Sequence, residues 1–297
     1  MLQSQNKPNL FIIGAPKSGT TFLYNKLQSL ADFYFTDIKE LNYFSFDEIV
    51  ESKSYYNDYK VKEIEKYSKF YKNIANQKYI VDTSVSYFSY PKTADNIYNF
   101  NPDSKIIAIL RNPIKRAFSH YLMDVRMGHA NLTFKEYIEN KDDYQAHYHQ
   151  YINNSIYYTN ISRYIQKFGK ENVLVLILED IESELPKLFD FLKVEDSSLK
   201  IDTDEKINAN KKPKNFVSKF FQNNRRLAQK LKKYTPNSLV HFYKKYFYEK
   251  ADKISITVEE FQICRNLLSQ EVSELSKLLN KDLFEIWQLN EEKSKLD

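Results

Sequence analysis

Residues 10–30 read LFIIGAPKSGTTFLYNKLQSL, and this stretch decides the fold. Residues 10–13 are a short apolar run suited to a strand buried on both faces. Gly14 ends the run, a loop carries Lys17 and Gly19, and from about Thr20 the leucines at 23, 27 and 30 recur with helical spacing. A strand, a glycine-bearing loop and a helix in succession make a cradle for an oxyanion. Glycine tolerates the torsions that turn backbone N–H groups inward, and the helix N-terminus adds unpaired donors and a favourable dipole. Lys17, Ser18, Thr20 and Thr21 bring an ammonium and three hydroxyls to the same place. The whole chain of 297 residues has four glycines, and two of them fall here. The pattern is close to G-x-x-x-x-G-K-[ST], but Thr20 follows the second glycine and the lysine stands ahead of it at 17. That displacement argues against ordinary nucleoside-triphosphate chemistry, which keeps the lysine on the β- and γ-phosphates.

Further apolar runs at 79–81, 106–110 and 173–178 suit parallel strands, and helical spacing covers 114–125, 157–168, 185–192, most of 216–248 and 258–280. Strand-helix alternation predicts an α/β, P-loop-like three-layer fold: a central parallel sheet flanked by helices, with a helical C-terminal extension. With no repeat and no linker-like stretch, the expectation is one domain over 1–297, an α/β core at 8–215 and an all-helical segment at 216–297. A hydrophobic content of 42% with 46 aromatic residues excludes general disorder. No run approaches twenty apolar residues and the first ten residues lack the pattern of a secretory signal, which predicts a soluble cytoplasmic protein. The single Cys264 leaves no intrachain disulfide and no cysteine cluster.

The charge is uneven. Residues 211–250 hold twelve Lys/Arg against the single acid Glu249, a local net of +11, so the other 257 residues sum to −6. Such a stretch is either a solvated face or a surface for an anionic partner. Within it Leu239, Phe242, Tyr243, Tyr246 and Phe247 fall on one side of a predicted amphipathic helix over 239–248, which docks on the core or lies at a membrane interface.

A second strand-turn-helix unit follows at 106–125, IIAILRNPIKRAFSHYLMDV. Asn112 is placed as an N-cap and Pro113 at the first helical position. Arginine is scarce, seven residues against 37 lysines, so Arg111 and Arg116 invite a reason. At the C-terminal end of a parallel strand Arg111 points into the crevice where such sheets bind ligands, and its fork suits phosphate; Ser119 lies two turns along the helix.

Ala15-Pro16-Lys17-Ser18-Gly19-Thr20-Thr21, followed by Leu23 and Leu27, resembles the 5′-phosphosulfate loop of sulfotransferases that use 3′-phosphoadenosine 5′-phosphosulfate (PAPS). Arg-Asn-Pro-x-x-Arg-Ala-x-Ser-x-Tyr from Arg111 resembles their 3′-phosphate motif, and further similarity runs through 39–44, 82–88 and 158–180. The likeness covers roughly residues 8–215 and is closest to the bacterial and heparan-sulfate-type glycan-modifying branch. It implies PAPS as donor, 3′-phosphoadenosine 5′-phosphate (PAP) as product, no metal, and a hydroxyl acceptor, a glycan in that branch. By position it assigns the donor to Pro16, Lys17, Ser18, Gly19, Thr20, Thr21, Arg111 and Ser119, with Lys17 stabilising the leaving phosphate. Glu40, in Lys39-Glu40-Leu41-Asn42-Tyr43-Phe44, is implied as general base; on the residues alone Lys39-Glu40 also reads as an exposed pair starting a helix. The family's third nucleotide loop has a loose counterpart at 208–214, offering Lys211 and Lys212, and Val85 stands where the branch often has proline.

His120 flanks the apolar stripe and reads as structural, while His129, His147 and His149 fall in a polar segment, 126–154, expected as a surface excursion near the acceptor. The basic 211–250 region is expected to border the acceptor cleft or an anionic inner membrane surface, with no nucleic-acid partner. The rival readings are a metal-dependent nucleotide or sugar kinase and an inactive nucleotide- or glycan-binding homologue.

Overall fold

The computed structural model describes residues 7–56, 61–72, 74–194 and 254–290, together with backbone strands at 211–213 and 248–250. At its centre lie five parallel strands, β1 (Leu10–Gly14), β2 (Phe33–Phe35), β3 (Tyr79–Thr83), β4 (Lys105–Leu110) and β5 (Val173–Ile177). Their spatial order is β2-β3-β1-β4-β5. Parallel neighbours require crossovers, which the helices supply. These are α1 (Thr20–Gln28), α2 (Phe46–Glu51), α3 (Ile64–Ser68), α4 (Thr93–Phe100), α5 (Pro113–Met127), α6 (Phe134–Glu139), α7 (Gln145–Tyr151), α8 (Tyr157–Phe168) and α9 (Ile181–Leu192). After them come α10 (Val258–Leu279) and the short α11 (Leu283–Ile286).

Because strand side chains alternate, each central strand feeds two cores. Phe11, Ile13, Ile106, Ala108 and Leu110 face one side, where Ile97 of α4, Ile114 and Ala117 of α5, Ile161 and Tyr164 of α8, and Cys264 and Leu268 of α10 cover them. Leu10, Ile12, Ile107 and Ile109 face the other, against Leu23 and Leu27 of α1 and Leu185, Leu188 and Leu192 of α9. The result is the expected three layers. The C-terminal helices are part of the first core: Leu268, Val272, Leu275, Leu283 and Trp287 are all buried there.

Both strand-helix units have the local chemistry anticipated for them. Asn112 caps α5 by accepting from the N–H groups of Ile114 and Lys115, each at 3.0 Å, Pro113 is the first helical residue, and Gly128 ends the helix in the left-handed region. Gly14, at φ +147°, has no room for a side chain, since an added Cβ would lie 2.7 Å from Phe88 Cβ.

Three expectations are corrected. The strand β2, only Phe-Tyr-Phe, gave no signal of its own; it adds as an edge by pairing Phe33–Phe35 with residues 79–81 of β3. The last third is not all helical, because β6 (Lys211–Pro213) and β7 (Tyr248–Lys250) form an antiparallel pair in which Lys211 lies opposite Lys250. The two ends of the basic stretch are thus neighbours, and Tyr248, expected at the end of a helix, is in a strand; the rest of the predicted helix over 239–248 lies outside the described residues. Finally, segment 126–154 is not a surface excursion. Thr133 and Glu136 form a capping box for α6, and Phe134, Tyr137, Ile138, Tyr151 and Ile152 are buried in the first core. Among the described residues no helix is long and apolar enough to cross a membrane.

Candidate active site

β1 pairs with β4 from Leu10↔Lys105 to Gly14↔Ala108, so the loop after each opens at the same edge of the sheet. The first loop is held from below by Ala15 N–H donating to Ile109 O at 2.8 Å. It then turns through Lys17 at φ +68° and Gly19 at φ +95° into α1. Gly19 is the N-cap of α1 and provides no side-chain cap, so the first-turn N–H groups are left for another acceptor. Inside the loop the buried Ser18 Oγ has no hydrogen-bond partner. An uncapped helix, a buried hydroxyl and left-handed backbone at Lys17 and Gly19 are features that suit an oxyanion cradle.

Two ammonium groups flank this loop, one more than expected. Lys17 Nζ lies 3.5 Å from Met123 Sδ of α5. Lys39 Nζ donates to Thr21 Oγ1 at 3.2 Å and Thr20 Oγ1 at 3.5 Å, and lies 3.7 Å from Glu40 Oε1. Sequence distance hides this, since Lys39 is remote from the loop until β2 brings the chain back beside α1. Burial pushes the Lys17 ammonium down to about 8, helped by Arg126, Arg111 and Arg116 and opposed by Asp124. Burial likewise lowers Lys39, while Glu40 acts against it.

Glu40 is not at a helix start. It sits at φ +66° in an irregular strap after β2, with its N–H on Thr83 O at 2.9 Å, and its side chain is 37% exposed. The strap is pinned to the end of β3: Asn42 N–H donates to Ser84 Oγ at 3.2 Å, and Ser86 Oγ donates to Asn42 Oδ1 at 2.6 Å. Behind it Asp82 accepts from Tyr67 OH, Ser84 Oγ and Tyr87 OH at 2.7–2.9 Å, and burial raises its pKa. Val85 opens a 3-10 turn, Val85–Phe88, that delivers Tyr87 to Asp82. Tyr43 and Phe44 point into the aromatic core, stacking on and edging Tyr67.

The second unit differs in design. Its helix is already capped, so an anion there depends on side chains. Arg111 at the end of β4 donates from Nη1 to Lys17 O at 3.5 Å, joining the two loops, and Ser119 lies one turn before Met123 on the face of α5 that meets Lys17. Arg116 has another task. Fully buried, it donates to Ser155 Oγ at 2.7 Å, Gln150 O at 2.9 Å, Tyr151 O and Pro16 O, and from Nη1 to His120 Nδ1 at 3.3 Å. Arginine only donates, so His120 Nδ1 accepts and its Nε2 carries the proton toward Tyr56 OH, 2.9 Å away. Tyr56 OH in turn donates to Asp124, which also accepts from Tyr55 OH at 2.5 Å and Tyr151 OH at 2.9 Å. His120 is thus structural, as expected, and burial beside Arg116 and Lys17 holds it well below the usual histidine range. His149, lowered to about 4 by burial, bonds Ser89 Oγ, and His147 stacks between Tyr55 and Tyr137. Lys211 and Lys212 fall in β6, and their side chains lie outside the described residues.

With this geometry in view the family is settled: residues 7–260 match the sulfotransferase domain model, and the chain belongs to that family. Among curated proteins it is 33% identical over 122 residues to membrane-associated sulfotransferase kil1 of Dictyostelium discoideum, covering 40% of this chain and 23% of that one. It is 27% identical over 245 residues to carbohydrate sulfotransferase 15 of Mus musculus, covering 63% and 44%. The chain therefore spans less than half the length of these relatives. A sulfotransferase from Alicyclobacillus acidocaldarius shares the fold with a TM-score of 0.67 at 24% identity, over 95% of this chain and 99% of that one.

Arg116→Lys should destabilise the protein by about 3 kcal/mol, because one ammonium cannot reach carbonyls of residues 16, 150 and 151 together with Ser155 and His120. Urea unfolding measures this, and a loss under about 0.5 kcal/mol would contradict a structural role for the fork.

Proposed function

We propose that this chain transfers the sulfuryl group of PAPS to a hydroxyl of a glycan, working as a single sulfotransferase domain. One observation carries the reading: two anion sites of different construction share a wall. The uncapped α1 with Lys17 and Lys39 suits a 5′-phosphosulfate, the Arg111–Ser119 side suits a 3′-phosphate, and the contact of Arg111 with Lys17 O sets them next to each other. A kinase reading needs only the first. The residues of the loop fit the donor, since the orphaned Ser18 Oγ and the open first turn of α1 call for acceptor oxygens.

Bound there, the donor supplies a sulfuryl group already activated by its link to phosphate. Pro16, Gly19, Thr20 and Thr21 shape and line the cradle, while Lys17 and the loop N–H groups hold the phosphate and stabilise the negative charge left on its oxygen as the S–O bond breaks. Glu40, held on the strap above Thr83, takes the proton of the attacking hydroxyl. Lys39 sits between Glu40 and the threonines of α1, so the base and the donor cradle are tied by one side chain. Lys211 and Lys212 are further donor contacts by resemblance. The name of the mouse relative supports a carbohydrate acceptor, and the name of the Dictyostelium relative, with the +11 stretch at 211–250, supports a peripheral place on an anionic membrane.

Calorimetry should show PAP binding without metal and no binding of ATP–Mg²⁺; the reverse result would make the protein a kinase-like nucleotide enzyme. The affinity for PAP should be full below pH about 8 and decline above it as Lys17 loses its proton, with burial first and then Arg126, Arg111 and Arg116 setting that point against Asp124, and Lys17→Met should abolish this limb. Glu40→Gln should cut turnover roughly a hundredfold or more with PAP affinity near normal, and unchanged turnover would remove Glu40 as base. Full-length protein should co-sediment with vesicles rich in anionic lipid and not with neutral ones; failure on both removes the membrane reading.

A further inference from the structure

The matched family region ends at residue 260, yet residues 261–289 pack into the first core and reach the C-terminal edge of β4 and β5. There they meet the residue that follows Arg111. Asn112 Nδ2 donates to Trp287 O at 2.6 Å. Trp287 Nε1 donates to Glu179 Oε2 at 3.1 Å, and Glu179 Oε1 accepts from Asn112 N–H at 2.9 Å. The three residues close a ring of hydrogen bonds drawn from three separate parts of the chain. A fourth arm reaches Arg111 itself: Tyr157 OH donates to Arg111 O at 2.9 Å, and the Tyr157 ring packs edge-on against Trp287 with centroids 5.9 Å apart. Trp287 is 1% exposed, and Lys281 anchors the approach to it on Glu184 at 2.9 Å and Asp180 at 3.5 Å.

The polar groups on both sides of the Arg111–Asn112 peptide are therefore satisfied from outside β4 and α5. An arginine that binds a phosphate through two parallel donors depends on the placement of its backbone, since a long side chain has many rotamers and only one fork orientation suits the anion. We infer that residues 281–289 are a positioning device for the second anion site, in which Trp287, through Glu179 and Asn112, sets Arg111 for the 3′-phosphate of the donor nucleotide. This rests on the proposed role of Arg111. Trp287 touches no nucleotide in this scheme; it is a positioning residue, and its effect is confined to ligands that carry a 3′-phosphate.

That selectivity supplies the test. Full-length wild type, Arg111→Ala, Trp287→Phe and Asn112→Ser are titrated calorimetrically with PAP and with adenosine 5′-phosphate, which lacks the 3′-phosphate. Phenylalanine keeps an aromatic ring against Tyr157 but loses volume and the indole N–H; serine keeps a cap for α5 and loses the donor to Trp287 O. Wild type should prefer PAP, and Arg111→Ala should abolish the preference. Trp287→Phe and Asn112→Ser should each weaken PAP by about tenfold while leaving adenosine 5′-phosphate within about twofold, the scale of one charge-linked hydrogen bond. Equal weakening of both nucleotides, or retention of the full preference in both variants while Arg111→Ala loses it, overturns the positioning role and leaves Arg111 in place. No preference in wild type overturns the role of Arg111 and the inference with it. Should Trp287→Phe not fold, Asn112→Ser decides alone.

Discussion

β1 and β4 are hydrogen-bonded neighbours in a parallel sheet, and parallel neighbours end at the same edge. That constraint places every chemical group described above. The strand leading to the glycine loop and the strand leading to Arg111 must release their chains side by side, and the helix that follows each must start within reach of the other's loop. In open α/β sheets such an edge, where the crossovers diverge, is where ligands bind. The strand order puts β1 at the centre, with β2 and β3 on one side and β4 and β5 on the other. The chain leaving β2 carries Glu40 and is pinned to the end of β3, so this strap approaches from the opposite neighbour of β1.

Beneath the site lies a buried cation with no carboxylate of the described residues in direct contact. Burial lowers the Arg116 guanidinium to about 10, and its hydrogen-bond partners are carbonyls, a hydroxyl and an imidazole. Its hydrogen-bond chain runs through His120 and Tyr56 to Asp124, two side chains away. Asp124 in turn is held by three tyrosine hydroxyls, so neither charge is left without hydrogen bonds. A chain of this kind is costly if any link is missing and rigid when complete. It joins the glycine loop at Pro16 to α5 and α7, which gives the loop a fixed floor despite its left-handed residues.

Much of this was legible in advance because it is local. The strand-loop-helix at 10–28 and the capped helix after Arg111 are written in consecutive residues, and their limits in the structure differ from the expected ones by a residue or two. What escaped depends on partners remote in the chain. Lys39 reaches Thr20 and Thr21 only after β2 folds back beside α1, and the three residues of β2 are too few to show a period. Segment 126–154 looked polar because Lys141, Asp142, Asp143 and three histidines mask the spacing of Phe134, Tyr137, Ile138 and Tyr151, which is that of a buried face. Pairing of β6 with β7 is a backbone event between two short charged stretches, and no side-chain pattern announces it. Arg116 was visible as an oddity of composition, but its role required the carbonyls of α7.

Trp287 is the chain's single tryptophan, and it is buried against Tyr157 at the back of the Arg111 peptide. Optically, then, the protein is labelled at one known place. Its indole fluorescence comes from beside the Arg111–Asn112 peptide and from nowhere else, and buried tyrosines such as Tyr87, Tyr157 and Tyr164 feed excitation toward that one ring. The molecule carries its own spectroscopic window on the part of the site where its last helix meets its fourth strand.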